Sequence, residues 1–476
     1  MTLSAIAPVP PPPAFDPEDG RLSAAESERA ARDPQRPRYH FLPAPSWIND
    51  PKPFHWDGAY HVFFQYCPDI PYSANKYWGH AVSRDLVHWE ELPIALTPTP
   101  GGPDQDGCWT GCVLRHDGRF HILYTAIPHL IRPAFEQVQS LASSDDLVHW
   151  EKYAGNPVIA ASMKPEGFGN TFRDPQAWRE EDGWYCVIGG NKIEGQNEFK
   201  AGAAFLYGSA DLIRWEYLHP LYVGPEARDE CPDFFPLDGP HGHKWVLLSS
   251  RRETAWAIGR YKDHRFTPEV SGTVDDRHYY AAKTALDDKG RRILFSWVRE
   301  DRPREAYVAA GWSGTFAFPR VLSILPDGTL GQEPVPELTA LRGTHRDYGQ
   351  TALGGGRDEV ALKVPGGDGI EVLVRFDPGD ADVFGLAVQG SDEILYDRAA
   401  QTLAGRPLAL ALGEMLTVRV FVDRSVIEVF AHGRVCKTIR SYHAPGDLLD
   451  VVRLIARGGS ATVESLDIWE IGTFTP

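Results

Sequence analysis

Short apolar stretches separated by turn residues recur along most of the chain, and long stretches with a helical period are few. Strand-like runs follow four Asp-Gly turn signals and one Asp-Lys-Gly signal, and these runs are YHVFFQY, FHILYTA, WYCVIGG, KWVLLSS and RRILFSW. Asp-Gly favours the tight turns that join antiparallel strands. The pattern therefore predicts an all-β protein built from hairpins.

A second motif repeats with the same spacing. Ser-x-Asp-Leu-x-x-Trp-Glu occurs three times, and its tryptophans are Trp89, Trp150 and Trp215. We expect each of these rings to fill the gap between neighbouring units rather than to bind a ligand. Five strand-turn-strand units with a period of about 50 to 65 residues, none able to bury its own faces, predict a five-bladed β-propeller.

The change of pattern along the chain predicts the domain boundaries. Residues 1–37 are rich in Pro, Ala and charge and are predicted to be a disordered tail of unknown function. The propeller is expected over 38–325 and a linker over 326–336. Alternating strands in 337–476, such as EVLVRF and LTVRVFVD, predict a C-terminal β-sandwich.

Charge and composition exclude several classes of partner. The net charge of -17 over 476 residues, without an acidic or basic block, argues against nucleic acid and anionic membranes and favours a neutral ligand. No apolar run has membrane-spanning length, and the amino terminus lacks a secretory signal. We therefore expect a cytoplasmic protein, with secretion as the alternative if the start is misassigned. Six cysteines without a CxxC pair predict free thiols and no metal site.

Three acidic residues share a position in this repeat. Asp50, Asp174 and Glu230 stand seven or eight residues before the Asp-Gly turns of units one, three and four, and Trp109 and Tyr280 hold the matching positions in units two and five. Equivalent positions of propeller blades surround one axis, so we predict that three carboxylates converge beside aromatic rings. Such a cluster must raise at least one carboxyl pKa. Glycosidic cleavage uses that arrangement, with one carboxyl protonated and another ionised.

Several motifs around these acids together resemble glycoside hydrolase family 32, the group of invertases, inulinases and levanases. The resemblance runs from about residue 40 to the end and includes a sandwich signature, FVDRSVIEVF. The motifs in the first domain are Trp47-Ile-Asn-Asp50-Pro, Phe64-Gln65, Trp78-Gly-His-Ala-Val-Ser, Trp109-Thr110-Gly, Phe172-Arg173-Asp174-Pro, Glu230-Cys-Pro-Asp-Phe and Trp312-Ser-Gly.

The resemblance implies a five-bladed propeller with a sandwich, no metal or cofactor, and retaining chemistry through a covalent fructosyl-enzyme intermediate. Asp50 would be the nucleophile, Glu230 the general acid/base, and Asp174 a transition-state partner. The expected ligand is a small sugar or a fructan. The candidate substrate-binding residues are Trp47, Asn49, Gln65, Trp78, Trp109, Thr110, Arg173, Tyr280 and Trp312. For each of the tryptophans in this set, packing in the core is an equally good explanation.

Two departures from the family pattern leave the leaving group and the acceptor open. The first motif continues Asp50-Pro51-Lys52-Pro53 where the family usually has Asp-Pro-Asn-Gly, and His278-Tyr-Tyr-Ala281 stands in place of Asp-Phe-Tyr-Ala. A fructosyltransferase, for instance one forming a difructose dianhydride from levan, is therefore the main alternative to a hydrolase of sucrose or fructans. The sandwich signature argues against a related arabinan-cutting propeller, and three acids in register argue against a non-catalytic sugar-binding module. Linkage preference, exo or endo action and oligomeric state are not determined by the sequence.

Overall fold

The computed structural model describes residues 28, 30–43, 47–67, 75–130, 136–194, 198–389, 392–443 and 449–472. Strands dominate these residues. Residues 28, 30 and 31 are α-helical, and further along the chain lie one α-helix, α1 (Arg304–Ala310), and two 3-10 turns at Ala161–Met163 and Pro336–Leu341. Within the described ranges, no helix is both long and apolar enough to cross a membrane.

Five antiparallel sheets, formed by consecutive strands, make up the first domain. Blade one contains β1 (Trp47–Trp56), β2 (Ala59–Cys67), β3 (Tyr77–Ser83) and β4 (Glu90–Leu96). Blade two contains β5 (Cys108–His116), β6 (Arg119–Ala126), β7 (Val138–Ser144) and β8 (Glu151–Lys152). Blade three contains β9 (Phe172–Arg179), β10 (Trp184–Glu194), β11 (Glu198–Ser209) and β12 (Trp215–Gly224). Blade four contains β13 (Glu230–Gly239), β14 (Gly242–Arg251), β15 (Glu253–Lys262) and β16 (Arg265–Thr273).

Blade five contains β17 (Tyr279–Leu286), β18 (Arg292–Val298), β20 (Arg320–Ile324) and β21 (Leu330–Pro334), and β19 (Thr315–Phe316) also pairs with β18. The five sheets confirm the predicted five-bladed propeller. The first strands of the blades contact one another, as β1 does with β5 and β17, and β9 with β5 and β13. These five inner strands therefore surround the propeller axis.

Two further sheets form the C-terminal β-sandwich, as predicted. One sheet contains β22 (Arg342–Asp347), β23 (Thr351–Leu353), β25 (Gly369–Asp377), β30 (Leu416–Asp423), β31 (Val426–Ala431), β32 (Val435–Arg440) and β34 (Ala461–Ile471). The other contains β24 (Glu359–Lys363), β26 (Val383–Val388), β27 (Asp392–Asp397), β28 (Thr402–Leu403), β29 (Arg406–Pro407) and β33 (Val451–Arg457). The inward-facing residues of both sheets form one apolar core between them.

The repeated Ser-x-Asp-Leu-x-x-Trp motif forms the turn between the third and fourth strands of blades one to three. Its leucines adopt positive φ angles of 64°, 67° and 65° at Leu86, Leu147 and Leu212. The ring of Trp150 in blade two lies edge-on to Phe63 of blade one, with 5.7 Å between the ring centres. This contact confirms that a tryptophan of the motif fills the gap between blades.

Two predicted domain boundaries are wrong. The segment 330–334 is the outer strand of blade five rather than a linker, because the turn at Asp327 and Gly328 closes a hairpin between β20 and β21. The disordered tail does not extend to residue 37. Asp33 accepts hydrogen bonds from Arg302 at 3.0 Å and from the indole of Trp312 at 2.8 Å, so its charge is paired rather than solvated. Residues 1–27 and 29 lie outside the described residues.

The two domains are joined by a buried network of charges. Arg320 of the propeller is fully buried and donates to Asp275 and to Glu428 of the sandwich, both at 2.7 Å. His40 lies between Glu428 and Asp423, and these contacts raise its pKa although burial alone would lower it. Glu428 belongs to the sandwich signature noted in the sequence. That part of the signature therefore holds the domains together.

Candidate active site

A β-bulge interrupts each of the five inner strands at the same level of the propeller. The first bulged residues are Asp50, Trp109, Asp174, Cys231 and Ala281. Four of them have positive φ angles, which are 41° at Asp50, 63° at Asp174, 48° at Cys231 and 54° at Ala281. Non-glycine residues in this conformation cost about 1–3 kcal/mol each, and bulges of this kind re-aim side chains beside active sites.

The bulges correct the predicted register of the acids. Asp50, Trp109 and Asp174 do share one position, but Glu230 stands one residue earlier, level with Arg173 and Tyr280. Counting from the Asp-Gly pair does not give this register, because Asp238 and Gly239 belong to β13 and the hairpin of blade four turns two residues later. The three acids still meet at one end of the axis, through the contacts that follow.

Asp50 is held by a hydroxyl group of the neighbouring blade. Thr110, which is fully buried, donates from Oγ1 to Asp50 Oδ2 at 2.7 Å. Gln65 in turn donates from Nε2 to the Thr110 oxygen at 2.7 Å. The thiol of Cys231 also lies 3.7 Å from Asp50 Oδ2. This chain of donors fixes the direction of the Asp50 carboxyl group.

Asp174 is almost fully buried, with 3% of its surface exposed. Its Oδ2 accepts from the backbone N–H of Cys231 at 2.8 Å and lies 3.5 Å from the Cys231 sulfur. Burial raises the pKa of Asp174 to about 6, with a further contribution from the charge of Asp50, while Arg173 opposes the shift. Asp50 and Asp174 thus share a single neutral thiol as neighbour, because burial raises the pKa of Cys231 well above its usual range.

Glu230 is partly exposed, with 27% of its side chain accessible. Arg173 donates to Glu230 Oε1 at 2.5 Å, and the Tyr280 hydroxyl donates to Oε2 at 2.6 Å. Burial and the Glu230 charge raise the pKa of Tyr280, so its hydroxyl stays protonated. Both oxygens of Glu230 are therefore oriented by donors, and the group remains accessible from solvent.

Aromatic rings and one lysine line the site beside Asp50. The Lys76 ammonium lies 4.7 Å from the ring centre of Trp47 and 5.1 Å from that of Trp109, and it donates to Gln65 Oε1 at 2.7 Å. Trp109 is partly exposed, whereas Trp47 is 2% exposed and lies edge-on to Trp297 at 6.3 Å. Asn49, immediately before Asp50, is also buried.

Two predicted sugar-contacting tryptophans have no accessible surface. Trp78 is 0% exposed and donates from its indole nitrogen to the backbone oxygen of Trp109 at 2.9 Å, so it supports the site from behind. Trp312 is also 0% exposed, and its ring lies under Arg302 and next to Asp33. In this structure neither ring offers a face on which a sugar could stack.

Three residues that complete the site stand outside the sequence motifs. Lys76 and Thr125 lie outside the turn register, and Thr125 accepts the backbone N–H of Asp174 at 2.8 Å. Arg299 places its guanidinium 4.8 Å from the ring centre of Tyr280. No motif marked these positions, because they come from second strands, loops and strand ends. Among the described residues there is no group of three or more His, Cys, Asp or Glu able to hold a metal ion.

Two family models match the chain over nearly its whole described length. The model for the N-terminal domain of glycosyl hydrolases family 32 matches residues 40–334, and the model for the C-terminal domain of that family matches residues 337–470. The division between them falls after β21, where the structure ends the propeller.

The chain is also similar to characterised relatives. It is 30% identical over 436 residues to a sucrose-6-phosphate hydrolase of Zymomonas mobilis, covering 83% of each chain. It is 30% identical over 480 residues to the sucrose-6-phosphate hydrolase of Bacillus subtilis, covering 91% of this chain and 95% of the relative. Fructan 1-exohydrolase IIa from Cichorium intybus has a similar structure, with a TM-score of 0.80 and 26% identity over 93% of this chain and 98% of that one.

Proposed function

Because the chain belongs to glycosyl hydrolase family 32 and is a glycoside hydrolase acting on fructosides, we propose that it cleaves them by a retaining mechanism on Asp50 and Glu230. The observation that carries this proposal is the different environment of two neighbouring acids. Asp50 is directed by Thr110 and lies beside a third carboxylate, whereas Glu230 is accessible and held by Arg173 and Tyr280. Two carboxyl groups in unlike surroundings can take the roles of nucleophile and acid/base.

In the first step Asp50 attacks the anomeric carbon of the fructosyl unit, and Glu230 gives its proton to the departing oxygen. The bond from carbon to the leaving oxygen breaks as the bond from carbon to Asp50 forms. Asp174 stabilises the positive charge that develops on the ring and accepts hydrogen bonds from fructose hydroxyl groups, and Arg173 donates hydrogen bonds to them. The donors around Asp50 hold its second oxygen, so that attack occurs from a fixed direction.

In the second step the ionised Glu230 takes a proton from water, which attacks the same carbon and releases Asp50. Retention of configuration follows from the two displacements. When the acceptor is a sugar hydroxyl instead of water, the same intermediate yields a transfer product.

A second candidate is a substrate with an anionic leaving group. Basic residues at the rim of the site favour it. Arg299 stacks on Tyr280, and its guanidinium also donates to the backbone oxygen of Arg252, an exposed residue. Within the described part of the chain, neither arginine has a carboxylate partner at ion-pair distance. A phosphate on the leaving sugar, as in the sucrose 6-phosphate of the relatives' names, suits this pair.

Azide rescue tests the catalytic assignment. Glu230→Ala is expected to lose activity towards sucrose but to keep the release of an activated leaving group, which needs no acid. Azide should then speed the turnover of that activated substrate, because azide attacks the intermediate without a base. Glu337→Ala removes a carboxylate that pairs with Arg291 and Lys289 and has no contact with the three acids among the described residues, so it serves as the control and should keep wild-type turnover. Absence of both forms of rescue contradicts the role of Glu230.

Product analysis tests the substrate and acceptor. The enzyme is incubated with sucrose, sucrose 6-phosphate, inulin and levan, and the products are followed by NMR. Free fructose as the main product supports hydrolysis, and oligomers or dianhydrides support transfer. A higher kcat/KM for sucrose 6-phosphate that falls to the sucrose value in Arg299→Met supports the anionic leaving group, and equal values for both substrates contradict it.

A further inference from the structure

A buried lysine follows the proposed nucleophile on the same inner strand. Lys52 is on β1, two residues after Asp50, and is 1% exposed. Its ammonium has no hydrogen-bond acceptor among the described residues and lies 4.5 Å from the ring centre of Trp78. Buried lysines without an acceptor are costly, so this position calls for an explanation.

The bulges place Lys52 in a ring of five matched residues, one from each inner strand. In each inner strand, the matched residue comes three positions after the last residue that pairs with the second strand before the bulge. The ring consists of Lys52, Gly111, Gln176, Asp233 and Lys283. Together with Arg292, most of these residues line a cavity of about 220 Å³ beneath the catalytic acids.

Two charged residues of the ring already have hydrogen-bond partners. Lys283 donates to Gln176 at 3.0 Å, and Asp233 accepts from the backbone and hydroxyl group of Thr284 at 2.7 and 2.8 Å. Lys52 differs from Lys283 because no amide or carboxylate of the described ring receives its protons. Its charge is therefore available to act on groups above the ring.

The charges that face Lys52 come from several elements. The attractive ones are Asp50 on β1 and Asp174 on β9, with the thiol of Cys231 on β13 between them. Lys76, before β3, is the repulsive one. The Lys52 charge also acts on the buried thiol of Cys108 on β5, whose pKa it lowers against the larger effect of burial. Burial nevertheless lowers the pKa of Lys52 to about 7, so the residue is charged below neutral pH and loses its proton above it.

We propose that Lys52 is a positioning residue whose ammonium group compensates the charge of the Asp50 and Asp174 carboxylates and keeps this pair ionised in the free enzyme. The inference rests on the proposed roles of those two acids. Cys231 cannot supply this compensation, since its thiol is neutral. Arg173 is engaged with Glu230 and reaches only Asp174, at 3.7 Å. Lys76 donates to Gln65 and lies against the Trp47 and Trp109 rings, so Lys52 is the lysine near Asp50 whose ammonium has no other acceptor among the described residues.

The pH dependence of kcat/KM tests this inference. Removing a cation raises the pKa of nearby carboxylates, so the acidic limb of the profile should move upward by about one pH unit in Lys52→Met. At pH 5 this corresponds to a loss of about tenfold relative to the wild type. Above about pH 8 the profiles should converge, because wild-type Lys52 has then lost its own proton.

Three variants separate charge from packing. Lys52→Met keeps the length of the side chain, Lys52→Gln gives a second neutral form if methionine fails to fold, and Lys52→Arg keeps the charge. Each is first checked by thermal unfolding. Both neutral variants should shift the acidic limb, and the arginine variant should restore it.

An unshifted acidic limb in a folded neutral variant overturns the inference and leaves Lys52 as a packing residue, even if the overall rate is lower. A shift of equal size in Lys52→Arg overturns it as well. These outcomes do not bear on the proposed function, which depends on the identity of the nucleophile. Covalent labelling of Asp50 decides that question separately.

Discussion

The hydroxyl group of Thr110 in blade two donates a 2.7 Å hydrogen bond to Asp50 Oδ2 in blade one. The two residues stand next to each other around the axis because both belong to the bulges of adjacent inner strands. A neutral donor at this point orients the carboxylate without neutralising it. The direction of nucleophilic attack is therefore set by a contact between blades.

Thr110→Val should lower kcat/KM by about 10- to 100-fold, because a hydrogen bond to a charged group contributes about 1.5–3 kcal/mol. Thr110→Ser keeps the hydroxyl group and serves as the matched control, with activity near that of the wild type. Steady-state kinetics on sucrose measures both. Equal activity of the valine and serine variants would show that the bond does not position Asp50.

Asp174→Asn should abolish most activity and yet stabilise the fold at neutral pH. Burial raises the pKa of Asp174 to about 6. Ionisation of Asp174 therefore lowers the free energy of unfolding by about 3 kcal/mol once the pH exceeds that value. The cost is absent below about pH 4, where the carboxyl is protonated in both folded and unfolded states, and grows between these limits.

The measurement is the free energy of unfolding of Asp174→Asn and the wild type at pH 4 and pH 7.5. The stabilisation should appear only at the higher pH, since asparagine can still accept the backbone N–H of Cys231. A stabilisation of equal size at both pH values would mean that it does not come from the carboxylate charge.

The sequence allowed the blades and the acids to be predicted, but not the contacts between them. Asp-Gly turns and repeated tryptophans have a fixed period, so five blades follow from spacing. The register of Glu230 could not be obtained by counting from a turn, because the hairpin of blade four extends two residues beyond Asp238. Lys76 reaches the site from outside the inner strands, and no local pattern marks such residues.

Trp78 and Trp312 illustrate the same limit in another way. Both belong to motifs that resemble the family, and both are fully buried. A motif shows that a residue type is needed at a position, but it does not distinguish a ring that touches the ligand from one that supports its neighbours. The Trp312 ring packs against Arg302 and donates to Asp33, and Asp33 lies 279 residues away in the sequence.

Arg320→Met should destabilise the protein by about 3–5 kcal/mol, because it leaves the buried Asp275 and Glu428 carboxylates without their cation. Arg434→Met is the matched control, since Arg434 pairs with Asp327 at an exposed site worth at most about 1 kcal/mol. Chemical denaturation measures both. Folded Arg320→Met should keep the wild-type KM, and a similar loss of stability in the two variants would contradict the role of the buried network.

The most direct measurement is the identification of the residue that becomes fructosylated. Glu230→Ala is incubated with an activated aryl fructoside, quenched in acid and digested, and the peptides are sequenced by mass spectrometry. Release of the aryl group without fast hydrolysis should accumulate the intermediate. One fructosyl unit on Asp50 is the predicted result. A fructosyl unit on any other residue, or aryl release with inverted fructose and no labelled peptide, would contradict retaining catalysis on Asp50.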